Sequence, residues 1–221
     1  MQKTVVYGAG GMGREVAENI ADAARAGAPW ELVGFLDDSA ERTGSRVLDW
    51  PVVGPGEWIS DHPDTQVVLG VGHPRVRRLL VQKVTRLGGR CATFIHPSAI
   101  VFPSASIGAG AVIFAASIIS SGAQIGRFSY VNYQAVVSHD AIVGDYACLM
   151  TRVVLAGSVQ VGEGSFVGVG ACTRQNATIG AWTIIGAGAT VINDIPSLCV
   201  AMGVPAIPTR FYGSWEDMPP F

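Results

Sequence analysis

Charge is what this sequence of 221 residues has least of. Lys, Arg, Asp and Glu together make up 14% of it, against roughly 25% in an ordinary soluble domain. The net charge is only −2, which excludes a broad basic surface for nucleic acid or for an anionic membrane. Disorder is excluded too, because 49% of the residues are apolar. Cysteine is scarce: Cys91, Cys148, Cys172 and Cys199 show no C-x-x-C spacing. No secretory signal opens the sequence, so reduced thiols and a cytoplasmic location are expected. The 36 residues between Arg90 and Arg127 carry no charge. A transmembrane helix needs about 20 predominantly apolar residues, and this stretch is broken by Pro97, Pro103, Gly108, Gly110 and several serines. A membrane span is therefore not expected.

What is present explains the uncharged stretch. Of the 32 charges, 22 fall in residues 1–92 and only 7 in residues 93–200. From Ile95 onward, every sixth position through Val191 is aliphatic, apart from the β-branched Thr173. Four residues after each comes a small or slim side chain, such as Ala111, Ser117, Ala123 and Ala135, until Ile195 breaks the column at the end. Glycine follows the aliphatic at Gly108, Gly126, Gly144, Gly162, Gly168, Gly180 and Gly186. Neither the helical period of 3.6 nor the strand period of 2 gives six. A triangular parallel β-helix does, with six residues per face and 18 per coil. The aliphatic column is expected inside, the small column at the corner, and glycine where the backbone bends.

The first part reads differently. A β-rich run at residues 4–7 leads into Gly8, Gly10 and Gly13. A helical pattern follows, with Val16, Ile20 and Ala24 on one face, ending near Gly27 and Pro29. Further strands are expected at residues 31–36, ending in Asp37 and Asp38, and at residues 67–71, leading through Gly72 into a basic helix. Alternating strands and helices imply a small Rossmann-like sheet. The fold class is thus α/β plus β-solenoid, with a Rossmann-like domain in residues 1–92 and a parallel β-helix of hexapeptide repeats in residues 93–221. The three glycines at a helix start suit a phosphate or pyrophosphate. A dinucleotide is the usual ligand of such a turn, but about 92 residues make too short a sheet for it. A nucleotide-sugar fits better, with a carboxylate from Asp37 or Asp38 near the base or ribose.

On the repeat, His139 stands out. It lies two residues after the inward Val137 and is therefore expected at an outward corner, with Ser121 and Gly157 one coil away on either side. An imidazole there can take a proton from a nucleophile, the Gly157 N–H can donate to a developing oxyanion, and Asp140 is placed to hold the imidazole tautomer. No metal is expected, since a catalytic zinc needs about three ligands and the coils offer His139 alone.

A Rossmann-like part, the join Phe94 to Ala99, the segment from Val137 through His139 and Asp140 to Asp145, and the closing Gly203 to Ala206 together resemble the bacterial hexapeptide-repeat sugar O- and N-acetyltransferases. The resemblance covers nearly the whole chain. It implies a left-handed helix, a homotrimer, and transfer of an acetyl group from acetyl-CoA to a nucleotide-linked amino sugar. A sialic acid-type O-acetyltransferase and a non-catalytic sugar-nucleotide-binding solenoid are the alternatives. By the same resemblance His139 is the catalytic base and Asp140 its acidic partner. Gly10, Gly11, Met12, Asp37, Asp38, Gly72 and Asn132 fall on the acceptor site, and Cys148, Val169 and Ala187 on the acetyl-CoA site. Three positions depart from the family pattern: Met12 replaces a frequent His, Cys148 stands where relatives have a second His, and Ile207 replaces a basic residue. Arg174 or Arg210 is then expected to meet the CoA phosphates.

Overall fold

In a computed structural model describing residues 1–219, the chain begins with a five-stranded sheet. Its elements are β1 (Gln2–Tyr7), α1 (Gly11–Arg25), β2 (Trp30–Leu36), β3 (Arg46–Val47), β4 (Trp50–Gly54), β5 (Gln66–Leu69) and α2 (Pro74–Arg86). The order is β3-β4-β2-β1-β5, parallel except for the β3–β4 hairpin. That hairpin has no strong alternating pattern and goes unread in the sequence. β1 lies between β2 and β5, so Val5, Val6 and Tyr7 are buried, as a two-sided parallel strand requires.

Cys91 bridges to Val67, and the coils begin with Phe94–Ile95. Seventeen two-residue strands follow at six-residue spacing, from Phe94–Ile95 to Thr190–Val191. Through Cys172–Thr173 each pairs in parallel with the strand 18 residues on, as Val131 does with Leu149 and Val137 with Leu155. The result is a left-handed parallel β-helix with three faces. The first face starts at Phe94–Ile95, the second at Ile100–Val101 and the third at Ser106–Ile107. Strand Cys199–Met202 and the antiparallel Ile207–Phe211 close the first face at the bottom.

The aliphatic column is the core: Ile113, Ile119, Val131, Val137, Leu149, Leu155, Val167 and Ile185 are fully buried. Each such side chain contributes about 1.5–3 kcal/mol by leaving water. The small column is buried beside it, as at Ala111, Ser117 and Ala135.

The glycines have another cause than the one expected. The backbone turns left-handed three residues after the aliphatic position, at Gly110, Ala116, Phe128, Gln134, Asp140, Tyr146 and Trp182 among others. The glycines immediately after the aliphatic do not adopt that conformation. They are bare because successive coils approach closely there: a Cβ on Gly144 would lie 2.8 Å from the carbonyl carbon of Gly162.

The Rossmann-like part packs on the first face and its two flanking corners. At one corner the α1 residue Asn19 donates its amide to the Tyr133 hydroxyl, and His96 meets Asp22 at 3.1 Å. On the face itself the Tyr130 hydroxyl donates to the Met12 sulfur. At the other corner the α2 residue Arg77, fully buried, donates to the carbonyls of Phe128, Ser129 and Val71. One apolar cluster runs from Val6 and Phe35 through to Ala206.

Candidate active site

The glycine turn between β1 and α1 is shaped by close approach. Gly8 has φ +105°, and a Cβ on Gly13 would overlap the Gly8 carbonyl oxygen. Gly10 is the N-cap of α1 and has open space where a side chain would stand. The first N–H groups of α1 have no intrahelical partner and carry the positive end of the helix dipole. They border a cleft of about 590 Å³ whose walls include Gly10, Gly11, Met12, Asp37, Arg42, Gly72 and His73. Met12 fills the space beside Gly72, where a Cβ would come within 2.9 Å of the Met12 methyl.

The two aspartates after β2 separate. Asp37 lines the cleft, accepting from the N–H groups of Ala9 and Ser39 at 3.0 Å each. Arg42 donates to the Ala9 carbonyl and faces Asp37 at 3.6 Å. This cationic wall residue was missed in the sequence, because it follows a loop with no motif. Asp38 is elsewhere. It accepts from the Tyr7 hydroxyl, the Gly56 N–H and Lys83 Nζ and is not among the cleft residues. Partial burial raises the Asp38 pKa, but the bonds from Lys83, Gly56 and Tyr7 outweigh it and hold the carboxyl below its ordinary range. It ties β1 to α2 and stands outside the lining of that cleft.

His139 and Asp140 occupy the corner between the second and third faces, in the turn between Val136–Val137 and Ile142–Val143. Asp140 has φ +59°, a conformation Asp tolerates better than most residues. That turn swings its carboxylate to 3.0 Å from His139 Nδ1. Two glycines make room for the pair. A Cβ on Gly157 would overlap the imidazole, and one on Gly122 would stand 2.6 Å from Asp140 Oδ1. With Nδ1–H donated to Asp140, Nε2 presents its lone pair, and the His139 side chain is 54% exposed. The Gly157 N–H has no acceptor among the described residues.

The remaining residues fall into three places. Val169 and Ala187 are exposed one coil apart at the corner between the first and second faces. Asn132 is at the same corner but buried, its side-chain oxygen accepting the Tyr133 N–H. Cys148 corrects the expectation that it lines a cosubstrate site. It is fully buried on the first face under α2, and burial pushes its thiol up to about 12, against the opposing effect of Arg77. Its thiol faces no solvent and donates to the Tyr146 carbonyl at 3.6 Å. Arg174 shares the His139 corner, facing Asp194 at 3.9 Å, whereas Arg210 lies on the closing strand of the first face.

In a three-faced prism the His139 corner is opposite the first face, where the glycine cleft lies. One chain does not bring the two together. Among the described residues no group of His, Cys, Asp and Glu is arranged to hold a metal ion.

A left-handed β-helix bearing a His–Asp pair at a bare corner, joined to a small sheet with a phosphate-type turn, defines a hexapeptide-repeat transferase. Comparison with known proteins narrows the class. A family model described as the PglD N-terminal domain matches residues 3–84. The acetyltransferase domain of PglB from Neisseria gonorrhoeae FA1090, solved with acetyl coenzyme A, is 36% identical with a TM-score of 0.86, over 94% of this chain and 99% of that one. Perosamine N-acetyltransferase from Caulobacter crescentus, solved with CoA and GDP-perosamine, is 34% identical with a TM-score of 0.84, over 94% and 97%. UDP-N-acetylbacillosamine N-acetyltransferase of Bacillus subtilis (strain 168) is 38% identical over 119 residues; the match spans about half of each chain. The chain belongs to this family of acetyl-CoA-dependent sugar N-acetyltransferases.

Proposed function

We propose that the protein transfers an acetyl group from acetyl-CoA to the amino group of a nucleotide-linked amino sugar. The observation that carries this reading is the His139–Asp140 pair seated over Gly157. The acceptor nitrogen attacks the thioester carbon while His139 Nε2 removes its proton. The tetrahedral oxyanion is met by the Gly157 N–H, and the CoA thiolate leaves as the C–S bond breaks. Asp140 stabilises the imidazolium formed on the way. The glycine turn binds the nucleotide diphosphate, with Asp37 and Arg42 toward the nucleoside. Asn132, Val169 and Ala187 share a corner that borders the CoA and acceptor path. Two of the relatives named above are sugar N-acetyltransferases, of perosamine and of UDP-N-acetylbacillosamine, which favours an amine over the hydroxyl of a sialic acid.

Because His139 and the cleft lie on opposite sides of one prism, a complete site takes the cleft of one copy and the His139 corner of another. The second face supports such an assembly, exposing Ile100 by 54% and Val154 by 41% beside Ile118 and Val136. The homotrimer is part of the proposal. So is a cytoplasmic location, supported by four unpaired cysteines; no helix among the described residues is long and apolar enough to cross a membrane. A thiol-release assay with acetyl-CoA and UDP- and GDP-linked amino sugars tests the reading. His139→Ala is expected to lower kcat by about 10²–10⁴-fold, and release at the wild-type rate would overturn the base assignment.

A further inference from the structure

Residues 212–219 leave the last coil and fold back against the Rossmann-like part. The Tyr212 hydroxyl donates to the Trp182 carbonyl. Met218 is buried to 1% exposure in a cluster with Trp182, Ile184 and Trp215. Trp215 lies 5.3 Å from the Trp182 ring and 4.6 Å under the Arg78 guanidinium. Arg78 is also held by Glu163 at 2.9 Å. The Pro219 carbonyl accepts from His73 Nε2 at 3.1 Å. His73 is the N-cap of α2 and, with Gly72 and Val76, forms one wall of the glycine cleft. The tail thus grips the first two turns of α2 at the edge where the cleft begins, while Asp38 and Lys83 pin the same helix farther along.

We propose that residues 212–219 are a positioning element for the acceptor: by holding α2 through Trp215 on Arg78 and the Pro219 carbonyl on His73, they set the width of the glycine cleft. This rests on the reading of that cleft as the acceptor site. Without the tail, the α2 end of the cleft loses two of its restraints, and acceptor binding must then order it. On the coils the tail packs at the corner of Trp182, not at the corner of Val169 and Ala187 that borders the proposed CoA path. Acceptor KM is therefore separable from acetyl-CoA KM.

The test compares three chains with the wild type: Trp215→Ala, Trp215→Phe, and a chain ending at Met218, which removes the Pro219 carbonyl but keeps the buried Met218. Loss of one ring contact or one hydrogen bond is expected to raise the KM for the nucleotide amino sugar on the order of tenfold, with acetyl-CoA KM and kcat within about twofold. Trp215→Phe, which keeps a ring under Arg78, is expected to restore most of the affinity. Melting temperatures read alongside detect a fold-wide effect. An unchanged acceptor KM in both Trp215→Ala and the shortened chain overturns the proposal, as does a parallel rise in both KM values. A wild type that forms no N-acetylated product sinks the acetyl-transfer reading and this proposal with it. A wild type that forms it while the tail variants keep its acceptor KM sinks this proposal alone.

Discussion

At the scale of single residues, the chemistry depends on missing side chains as much as on present ones. Gly157→Ala places a methyl group into the space of the His139 ring. The imidazole must then leave its bond to Asp140, so kcat is expected to fall about as far as in His139→Ala, with the melting temperature little changed. Asp140→Asn keeps the shape but loses the charge that supports the imidazolium, and the pH profile of kcat is the measurement that reads it. Arg77 is a different case, a fully buried cation whose donors are taken by backbone carbonyls. Arg77→Ala leaves those carbonyls unpaired and empties a large volume, a loss of roughly 3–5 kcal/mol by denaturant melting. His73 gives a pH dependence. Burial lowers its pKa, the Pro219 carbonyl opposes this, and the nearby Arg75 charge adds to the lowering. The unfolded chain takes up a proton near 6.5 that the folded His73 resists, so stability is expected to fall as pH drops below about 6.5. His73→Gln, which does not titrate, removes that slope.

At the scale of elements, the six-residue column was fully legible, since Ile113, Val137 and Leu155 repeat without a gap. Leu155→Ala is expected to cost roughly 2–5 kcal/mol in a chemical denaturation. Other features were not legible, for two physical reasons. The left-handed corner accepts many residue types, so Asp140, Tyr146 and Trp182 occupy it without a compositional mark. Burial of the outward strand position depends on which face it is on. Gln124 and Val154 stand at that position on open faces and are exposed. Val112, Tyr130 and Cys148 stand at the same position on the first face and are buried, because the Rossmann-like part covers them. A repeat read one coil at a time places Cys148 at a surface, and only the partner element removes it. Asp37 and Asp38 part company for a similar reason, since Lys83 and Tyr7 come from elements distant in sequence.

At the scale of the whole molecule, the proposed site, with the cleft of one copy facing the His139 corner of another, makes activity a property of neighbouring copies. A chain carrying His139→Ala retains its cleft, and a chain carrying Gly13→Val, which closes the turn against Gly8, retains its base. Each is expected to be inactive alone. Refolded together at equal amounts, they are expected to recover about a quarter of wild-type activity, because that fraction of interfaces pairs an intact cleft with an intact His139 in a cyclic assembly. Recovery of nothing would place both parts of the site in one chain.

The corner facing α2 carries one more consequence. Phe128, Tyr146 and Trp182 rise along it, with the Gly164 position yielding its space to the Trp182 ring, and α2 lies against them through Arg77 and Arg78. From Phe128 to Trp182 is three coils, about 14 Å at the usual strand spacing, and the 13 residues of α2 run about 20 Å. Two adjacent residues of the helix thus reach both ends of this three-coil stretch, Arg77 at the Phe128 carbonyl and Arg78 at the Trp182 and Trp215 rings. A solenoid on its own can gain or lose a coil and keep its register, but here an extra 18 residues between these aromatics would move Trp182 about 5 Å away from Arg78 and uncouple the tail from α2.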